Sequence, residues 1–226
     1  MIKIFLDSSD INTIKEYASN LIVDGITTNP SLMKKAGITD YEKFCKEVLE
    51  ITDKPVSFEV FADEFDDMER QAKIISSWGE NIYVKIPIMN TEGKSSIMLI
   101  NKLLSEGIKI NITAVMKASQ LSGLGDTKTP HIISVFAGRI ADTGIDPCST
   151  IYDVKLRAYG SAEVLWASPR EVLNIYQANS EGADIITVTP ELIKKFEAMK
   201  NKDLIILSQD TVKMFFNDGQ AAGYKL

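Results

Sequence analysis

The sequence has few of the residues that build metal centres or disulfide frameworks. It contains two cysteines, Cys45 and Cys148, and one histidine, His131. The cysteines lack metal-ligand spacing, and a single histidine cannot form a histidine-based metal cluster or proton relay. We therefore expect no metal site and no disulfide framework. For His131 we expect a structural role at the start of a strand.

Long apolar runs and an excess of basic charge are also absent. No run reaches the roughly 18 apolar residues that a membrane-spanning helix needs, so we expect no membrane association and a cytoplasmic location. The net charge is -6, which argues against nucleic acid as the main partner, although a local group of arginines could still hold a small phosphate.

Short apolar runs alternate with longer amphipathic segments along the whole chain. The predicted strands are 3–6, 21–26, 56–60, 82–86, 109–113, 132–136, 163–166 and 184–188. The predicted helices are 10–19, 40–50, 65–77, 93–105, 149–159, 169–179 and 190–199, with 116–125 as the weakest helical pattern. This repetition favours a parallel (β/α)8 TIM barrel over a doubly wound sheet, which usually has about five or six strands.

The chain shows no linker rich in proline, glycine or serine, so we expect one barrel domain over residues 1–226. Residues 204–226 form a predicted C-terminal helical extension with many apolar side chains. Two partners for this apolar surface stay open at this point. It could cover the chain's own barrel, or it could reach a neighbouring subunit.

Lys85 is the most unusual residue of the predicted strands, because it lies in the apolar run 82–86. A buried, unpaired ammonium costs several kcal/mol. The lysine could extend its charged end to solvent at the rim of the sheet. Alternatively, its amine could be a nucleophile that forms a Schiff base with a carbonyl substrate.

Polar residues recur where the predicted strands end, which is where a barrel of this type forms its active site. Singly, they have structural alternatives: Asp7 could cap a helix, Thr28 and Asn29 could be turn residues, and Thr113 could be an ordinary strand residue. Together they predict an amine nucleophile with carboxylate proton carriers and an arginine phosphate site. The predicted nucleophile is Lys85, the predicted proton carriers are Asp7 and Glu59, and the predicted phosphate ligands are Arg139 and Arg170. The predicted site also includes the neighbouring strand-end residues Thr28, Asn29, Asn111, Thr113, Ser134, Phe136 and Ser168.

Five motifs resemble those of the transaldolases, in particular the short subfamily that includes fructose-6-phosphate aldolase. They are FLDS at 5–8, GITTNPS at 25–31, VKIP at 84–87, NITA at 111–114 and SVFAGRI at 134–140. The match runs from residue 1 to about residue 190 in the same order along the chain. The threonine-asparagine-proline motif and the lysine of the fourth strand are its most specific parts.

The resemblance implies an enzyme without metal or other cofactor. It would move a dihydroxyacetone unit from a ketose phosphate (sedoheptulose 7-phosphate or fructose 6-phosphate) to an aldose phosphate, in the pentose phosphate pathway. Lys85 falls on the family's Schiff-base lysine and Asp7 on its proton-handling aspartate, while Glu59 and Thr113 fall on the pair that positions a catalytic water. The resemblance also implies a homo-oligomer, a pentamer or decamer.

The remaining positions bear on substrate and reaction type. Asn29 and Asn111 fall on asparagines that bind the dihydroxyacetone hydroxyls, and Ser134 and Arg139 fall on phosphate or substrate contacts of the family.

The aldolase branch carries glutamine where Glu59 stands and tyrosine where Phe136 stands, so the resemblance favours transfer over simple aldol cleavage. An aldolase that releases free dihydroxyacetone and a non-catalytic sugar-phosphate-binding barrel are the alternatives. After the seventh strand, Arg170 matches either the family's phosphate-loop cation or a neighbouring helix residue.

Overall fold

The computed structural model describes residues 2–158 and 160–225. Its eight strands follow one another around a closed, wholly parallel barrel, in which β8 pairs with β1. The strands are β1 (Lys3–Asp7), β2 (Val23–Thr27), β3 (Val56–Glu59), β4 (Ile82–Pro87), β5 (Ile110–Val115), β6 (His131–Val135), β7 (Ala162–Trp166) and β8 (Ile185–Val188). The predicted TIM barrel is therefore confirmed.

Helices connect the strands, and most bury one apolar stripe. In α4, for example, Met68, Ala72 and Ile75 are buried at the spacing of one helical face. The helices are α1 (Ile11–Ala18), α2 (Pro30–Lys35), α3 (Tyr41–Ile51), α4 (Phe65–Ser76), α5 (Ile97–Ser105), α6 (Ala137–Ala141), α7 (Cys148–Arg157), α8 (Leu173–Ser180), α9 (Pro190–Met199) and α10 (Leu204–Ala222).

Several segments differ from the sequence-based expectation. The predicted helix 93–105 begins only at Ile97, because residues before it form a tight turn in which the Asn90 N–H donates to the Lys94 carbonyl (3.0 Å). The weak pattern 116–125 forms only a short 3-10 turn, Ala118–Leu121. The helices α2 and α6 were not expected. Tyr159 and Leu226, the predicted ends of a helix and of the tail, lie outside the described residues.

An apolar cluster fills part of the barrel. Phe5, Ile132, Leu165, Ala167 and Ile185 are buried together, and they come from four different strands or the residue that follows one. Tyr83 and Phe136 pack against this cluster. Such side-chain layers make a TIM barrel a packed core and not a pore. His131 begins β6 as predicted and is buried.

By its internal contacts the chain divides into two compact units, Met1–Leu192 and Ile193–Leu226. The first contains the barrel, and the second contains α10. In α10 the Asp203 carboxylate caps the first turn by accepting from the N–H groups of Ile205 and Ile206, and Gly223 ends the helix in the left-handed conformation. Among the described residues, no helix combines the length and the apolarity needed to cross a bilayer.

Gly138 allows α6 to approach the loop that follows β7. The Gly138 N–H donates to the Ala167 carbonyl (3.2 Å). A Cβ at position 138 would lie 1.6 Å from the carbonyl oxygen of Ser168. This backbone-to-backbone contact has no side chain that could move aside, so position 138 requires glycine.

We predict that Gly138→Ala lowers the free energy of unfolding by about 1–3 kcal/mol, the usual range for overpacking a core. Gly125→Ala is the matched control, because its added Cβ would meet only the Asn101 side chain at an ordinary 3.5 Å. Urea unfolding of both variants checks this. Equal stability of the two would show that the contact between residues 138 and 168 tolerates a methyl group.

Candidate active site

A polar cavity of about 310 Å³ opens at the carboxyl ends of the strands. Ten of the twelve predicted site residues line it: Asp7, Asn29, Glu59, Lys85, Asn111, Thr113, Ser134, Phe136, Arg139 and Ser168. The cavity is also lined by Thr27, Pro30, Ser31, Ala114, Leu165, Ala167 and Thr187. The barrel thus gathers side chains from all eight strands or the loops that follow them.

Lys85 turns its amine into this cavity and is only 6% exposed. Its Nζ lies 3.0 Å from Glu59 Oε2 and donates to the Thr28 carbonyl at 2.8 Å. Glu59 is directly opposite Lys85 in the register of β3 and β4, so neighbouring strands hold the two charges together. The charged end does not extend to solvent at the rim of the sheet, so that alternative for this lysine is wrong.

The backbone of Glu59 is fixed by a residue of helix α3. The Tyr41 hydroxyl, on α3, donates to the backbone carbonyl of Glu59 at 2.6 Å. The Tyr41 ring packs edge-on against Phe61, with 5.3 Å between ring centroids. Burial raises the pKa of Tyr41 well above its usual range, so this hydroxyl stays a donor. The end of β3 is therefore fixed by a hydrogen bond as well as by the strand ladder.

Asp7 ends β1 and lies next to Thr27 in the register with β2. Thr27 Oγ1 donates to Asp7 Oδ1 at 3.0 Å. Burial raises the pKa of Asp7, while the ammonium of Lys85 and the Thr27 hydrogen bond act against that rise. Helix α1 is capped by Asp10 and not by Asp7. The capping alternative for Asp7 is therefore wrong.

A second hydrogen-bonded group lies across β3, β5 and β6. Asn111 donates from Nδ2 to Ser57 Oγ (3.0 Å) and accepts at Oδ1 from Ser134 Oγ (2.7 Å). The single hydroxyl proton of Ser134 is thus used on Asn111, which leaves the Ser134 oxygen as an acceptor toward the cavity. Asn29 is at once a cap and a cavity residue, because its Oδ1 accepts from the Leu32 N–H at 3.0 Å.

Thr113 and two strained residues complete the wall. Thr113 Oγ1 is buried and has no hydrogen-bond partner among the described residues, although a buried hydroxyl normally has one. Ala114 and Ser168 adopt left-handed conformations with φ of 61° and 58°. Non-glycine residues in this region cost about 1–2 kcal/mol each, and such strain is concentrated at functional sites.

The two predicted phosphate arginines have different surroundings. Arg139, on α6, lies at the cavity with its guanidinium 5.3 Å from the centre of the Phe136 ring. Arg170 is bound to the Asp142 carboxylate through Nε (3.0 Å) and Nη2, and it is not part of the cavity wall. Thr28 also lies outside the wall, because its hydroxyl is buried against the Ser57 carbonyl (2.9 Å).

A protein-family model described as transaldolase/fructose-6-phosphate aldolase matches residues 4–225. The chain belongs to this family. It is 38% identical over 196 residues to a "Probable transaldolase" of Methanococcus maripaludis strain C7, covering 85% of this chain and 88% of that protein. It is 39% identical over 197 residues to "Probable transaldolase 2" of Listeria monocytogenes, covering 85% and 87%.

A solved structure shows the same fold. The 2-keto 3-deoxygluconate aldolase from Picrophilus torridus superposes with a TM-score of 0.57 at 14% identity, covering 100% of this chain and 89% of that one.

Some residues of this transaldolase-family cavity were not among the predicted ones. Thr27 and Thr187 line the cavity; the Thr27 hydroxyl donates to Asp7 and is hydrogen-bonded to the hydroxyl of Thr187. Ser57 lies behind the wall, where its hydroxyl accepts from Asn111. Thr27 lies inside the GITTNPS motif and directly precedes the predicted Thr28, a signal that sequence reasoning could have used. Thr187 and Ser57 have no such signal, since small hydroxyl residues are common in strands.

We predict that Asp7→Asn raises the melting temperature at pH 8. A folded-state pKa above the unfolded value means that the ionised carboxylate destabilises the fold above the folded pKa, and that this cost disappears as the pH falls through it. The advantage of Asp7→Asn should therefore shrink between pH 8 and pH 4 in thermal unfolding scans.

Asp142→Asn is the matched control with the opposite sign. The Arg170 guanidinium lowers the pKa of Asp142, so this carboxylate stabilises the fold above its unfolded pKa and stops doing so as the pH falls. Asp142→Asn should lower the melting temperature slightly at pH 8, and this difference should shrink as the pH falls below the unfolded pKa of 3.8 toward the lower folded pKa. A destabilised Asp7→Asn at pH 8 would contradict the burial argument.

Proposed function

We propose that the chain is a transaldolase that moves a dihydroxyacetone unit from a ketose phosphate, fructose 6-phosphate or sedoheptulose 7-phosphate, to an aldose phosphate through a Schiff base on Lys85. One observation carries the proposal: the Lys85 amine lies inside the cavity, 3.0 Å from the Glu59 carboxylate. A nucleophile within hydrogen-bond reach of a base is the arrangement that covalent catalysis requires.

Formation of the Schiff base uses this pair. Lys85 gives a proton to Glu59, and the free amine attacks the ketone carbon to form the new N–C bond. A proton passes from the attacking nitrogen to the alkoxide, and Glu59 returns its own proton to the resulting hydroxyl, so that water leaves and a protonated Schiff base remains. We assign Thr113 Oγ1, which has no partner among the described residues, to hold this water together with Glu59.

Cleavage and transfer use Asp7. It removes the proton from the hydroxyl next to the carbon–carbon bond that breaks, and the electrons of that bond move into the Schiff base. The aldehyde product leaves and an enamine remains. When the enamine carbon attacks the acceptor aldehyde, Asp7 returns the proton to the new alkoxide. Water then hydrolyses the Schiff base and restores the Lys85 amine.

The proposed phosphate site is at Arg139. Its guanidinium can form forked, charge-assisted hydrogen bonds with a phosphate, and its stacking on Phe136 (5.3 Å) holds it at the cavity. Asn29, Asn111 and Ser134 are assigned to the sugar hydroxyls. Because Arg170 is paired with Asp142, we assign it a structural role in the loop after β7.

An aldolase that releases free dihydroxyacetone is the second candidate, since the family model covers both activities. Glu59 and Phe136 favour transfer, because the aldolase branch carries glutamine and tyrosine there. Fructose 6-phosphate with and without erythrose 4-phosphate separates the two. If more than one equivalent of glyceraldehyde 3-phosphate per active site is released only when the acceptor is present, transfer is supported. If it is released continuously without the acceptor, the aldolase is supported. No product in either case would favour another sugar or a non-catalytic binding barrel.

We also propose a cytoplasmic homo-oligomer, a pentamer or decamer, acting in the pentose phosphate pathway. Support for assembly comes from α10, where no residue is buried and Phe215 and Phe216 are each 64% exposed. An apolar helix surface of this kind is typical of subunit interfaces. Analytical ultracentrifugation tests it, and a monomer at micromolar concentration would contradict it.

We predict that Lys85→Ala abolishes turnover while the protein stays folded, because among the described residues no other lysine lines the cavity. Borohydride reduction in the presence of fructose 6-phosphate should label Lys85 in the wild type, as read by peptide mass spectrometry, and should not label exposed lysines such as Lys3. Since Lys85→Ala leaves Glu59 partly buried without its partner, Lys85→Ala/Glu59→Gln is a companion variant without either charge. Retained turnover in either variant would exclude the Schiff base at Lys85.

We predict that Arg139→Ala raises KM for phosphorylated donors about 10- to 100-fold, the equivalent of losing a charge-assisted hydrogen bond of about 1.5–3 kcal/mol. KM for unphosphorylated dihydroxyacetone should change little. Arg170→Ala is the matched arginine control and should stay within about threefold of the wild type. A larger effect of Arg170→Ala than of Arg139→Ala would reverse the assignment of the phosphate site.

A further inference from the structure

A chain of hydrogen bonds in the cavity wall runs from Thr187 through Thr27 to Asp7. Thr27 Oγ1 donates to Asp7 Oδ1 at 3.0 Å, and the hydroxyls of Thr27 and Thr187 are hydrogen-bonded to each other. Both threonines line the cavity and are nearly buried, at 3% and 5% exposure. These two hydrogen bonds therefore lie in a largely buried part of the cavity wall, where hydrogen bonds are strong.

Proton counting fixes the direction of this chain. A threonine hydroxyl has one proton, and Thr27 uses its proton on Asp7 Oδ1. In the hydrogen bond between the two threonines, Thr187 must then be the donor and Thr27 the acceptor. Donors that also accept are polarised by their neighbour, so the Thr187 bond strengthens the bond from Thr27 to Asp7.

Barrel closure brings these residues together. Strand β1 lies between β2 and β8, with Asp7 opposite Thr27 on one side and Phe5 opposite Thr187 on the other. Thr187 is 160 residues from Thr27 in the sequence. Both strands beside Asp7 thus contribute a hydroxyl to its support.

We propose that Thr187 is a positioning residue for the proposed reaction, on which this inference rests. By donating to Thr27, it keeps the Thr27 proton directed at Asp7 Oδ1. The two oxygens of Asp7 then have separate roles: Oδ1 is held as an acceptor, and Oδ2 exchanges protons with the substrate.

The proposal has a consequence for the titration of Asp7. Three neighbours act on this carboxylate: Lys85 on β4 and Thr27 on β2 lower its pKa against the effect of burial, and Glu59 on β3 raises it. Without the Thr187 hydroxyl, the Thr27 donor is less well oriented and less polarised. The pKa of Asp7 should then rise, and the acidic limb of the rate profile should move to higher pH.

Thr187→Val and Thr187→Ser test the proposal, because the first removes the hydroxyl at nearly constant shape and the second restores it. We expect Thr187→Val to lower kcat about 5- to 10-fold, the equivalent of losing one hydrogen bond of about 1 kcal/mol, with KM nearly unchanged. Its acidic limb should shift upward, and Thr187→Ser should stay within about threefold of the wild type. Equal losses in both variants, or a Thr187→Val enzyme with wild-type kcat and pH profile, would overturn the proposal.

A measurement without turnover separates this proposal from the proposed function. The Asp7 carboxyl carbon can be titrated by 13C NMR in the wild type and in both variants, with Asp7→Asn to assign the signal. A higher Asp7 pKa in Thr187→Val, but not in Thr187→Ser, supports the hydrogen-bond chain even if the protein does not turn over the tested sugars. If the pKa of Asp7 is unchanged in Thr187→Val, the proposal is overturned even if the enzyme is a transaldolase. It is also overturned if Thr187→Ser shifts this pKa as much as Thr187→Val does.

A further variant covers the case in which Thr187→Val is too unstable to study. If Thr187→Val does not fold, Thr187→Ala removes the same hydroxyl without adding a methyl group next to Thr27, and its Asp7 titration gives the same test. Schiff-base trapping on Lys85 should be undiminished in the folded variants, since that step uses Lys85 and Glu59. Loss of trapping together with the kcat loss would show a general disturbance of the cavity and would overturn the specific role of Thr187.

Discussion

The cavity is arranged around one constraint, the burial of the Lys85 ammonium and the Glu59 carboxylate inside the barrel. Lys85 and Glu59 lie 3.0 Å apart with side-chain exposures of 7% and 17%, and charges taken out of water need excellent geometry and further hydrogen bonds to offset the cost of desolvation. Strand register provides the geometry, because the two residues are directly opposite each other in adjacent strands. The Thr28 carbonyl provides a further acceptor for the amine. Asp7 adds a second carboxylate to the same cavity. Its charge is destabilising mainly because it is buried and to a smaller extent because Glu59 is near, and the Thr27 hydroxyl acts against both effects.

The cavity concentrates features that reduce stability elsewhere in proteins. Ala114 and Ser168 are left-handed, Thr113 Oγ1 is buried without a partner among the described residues, and burial raises the pKa of Asp7. The strained backbone and the unpaired hydroxyl cost about 1–3 kcal/mol each in comparable cases. The apolar cluster around Phe5, Leu165 and Ile185 and the buried stripes of the helices supply the stability that offsets these costs. Backbone strain and unsatisfied polar groups that are confined to one cavity, with regular packing around it, are typical of a functional site.

The sequence was sufficient for the barrel and for most of the cavity, because both follow from short-range patterns. Alternating apolar runs predict the strands, and the end of each strand predicts where side chains converge. Helix α2 was missed although Asn29 and Pro30 form a good helix start, since the same two residues are also frequent in turns. Thr187 could not be identified, because its contact with Thr27 comes only from closure of the barrel between β8 and β1. The pairing of Arg170 with Asp142 likewise depends on a contact between residues 28 apart in the sequence.

Hydrogen-bond direction gives the cavity a polarity that residue types alone do not reveal. Ser134 uses its proton on Asn111, so its hydroxyl oxygen is left as an acceptor, whereas the Thr27 oxygen already accepts from Thr187. A ligand group that approaches the Ser134 oxygen must bring its own donor, which sugar hydroxyls do and a dianionic phosphate does not. The guanidinium of Arg139 offers the opposite chemistry, with donors and no acceptor. In the proposed function, this distribution of donors and acceptors supports binding of a sugar phosphate with its hydroxylated carbons beside Lys85 and its phosphate at Arg139.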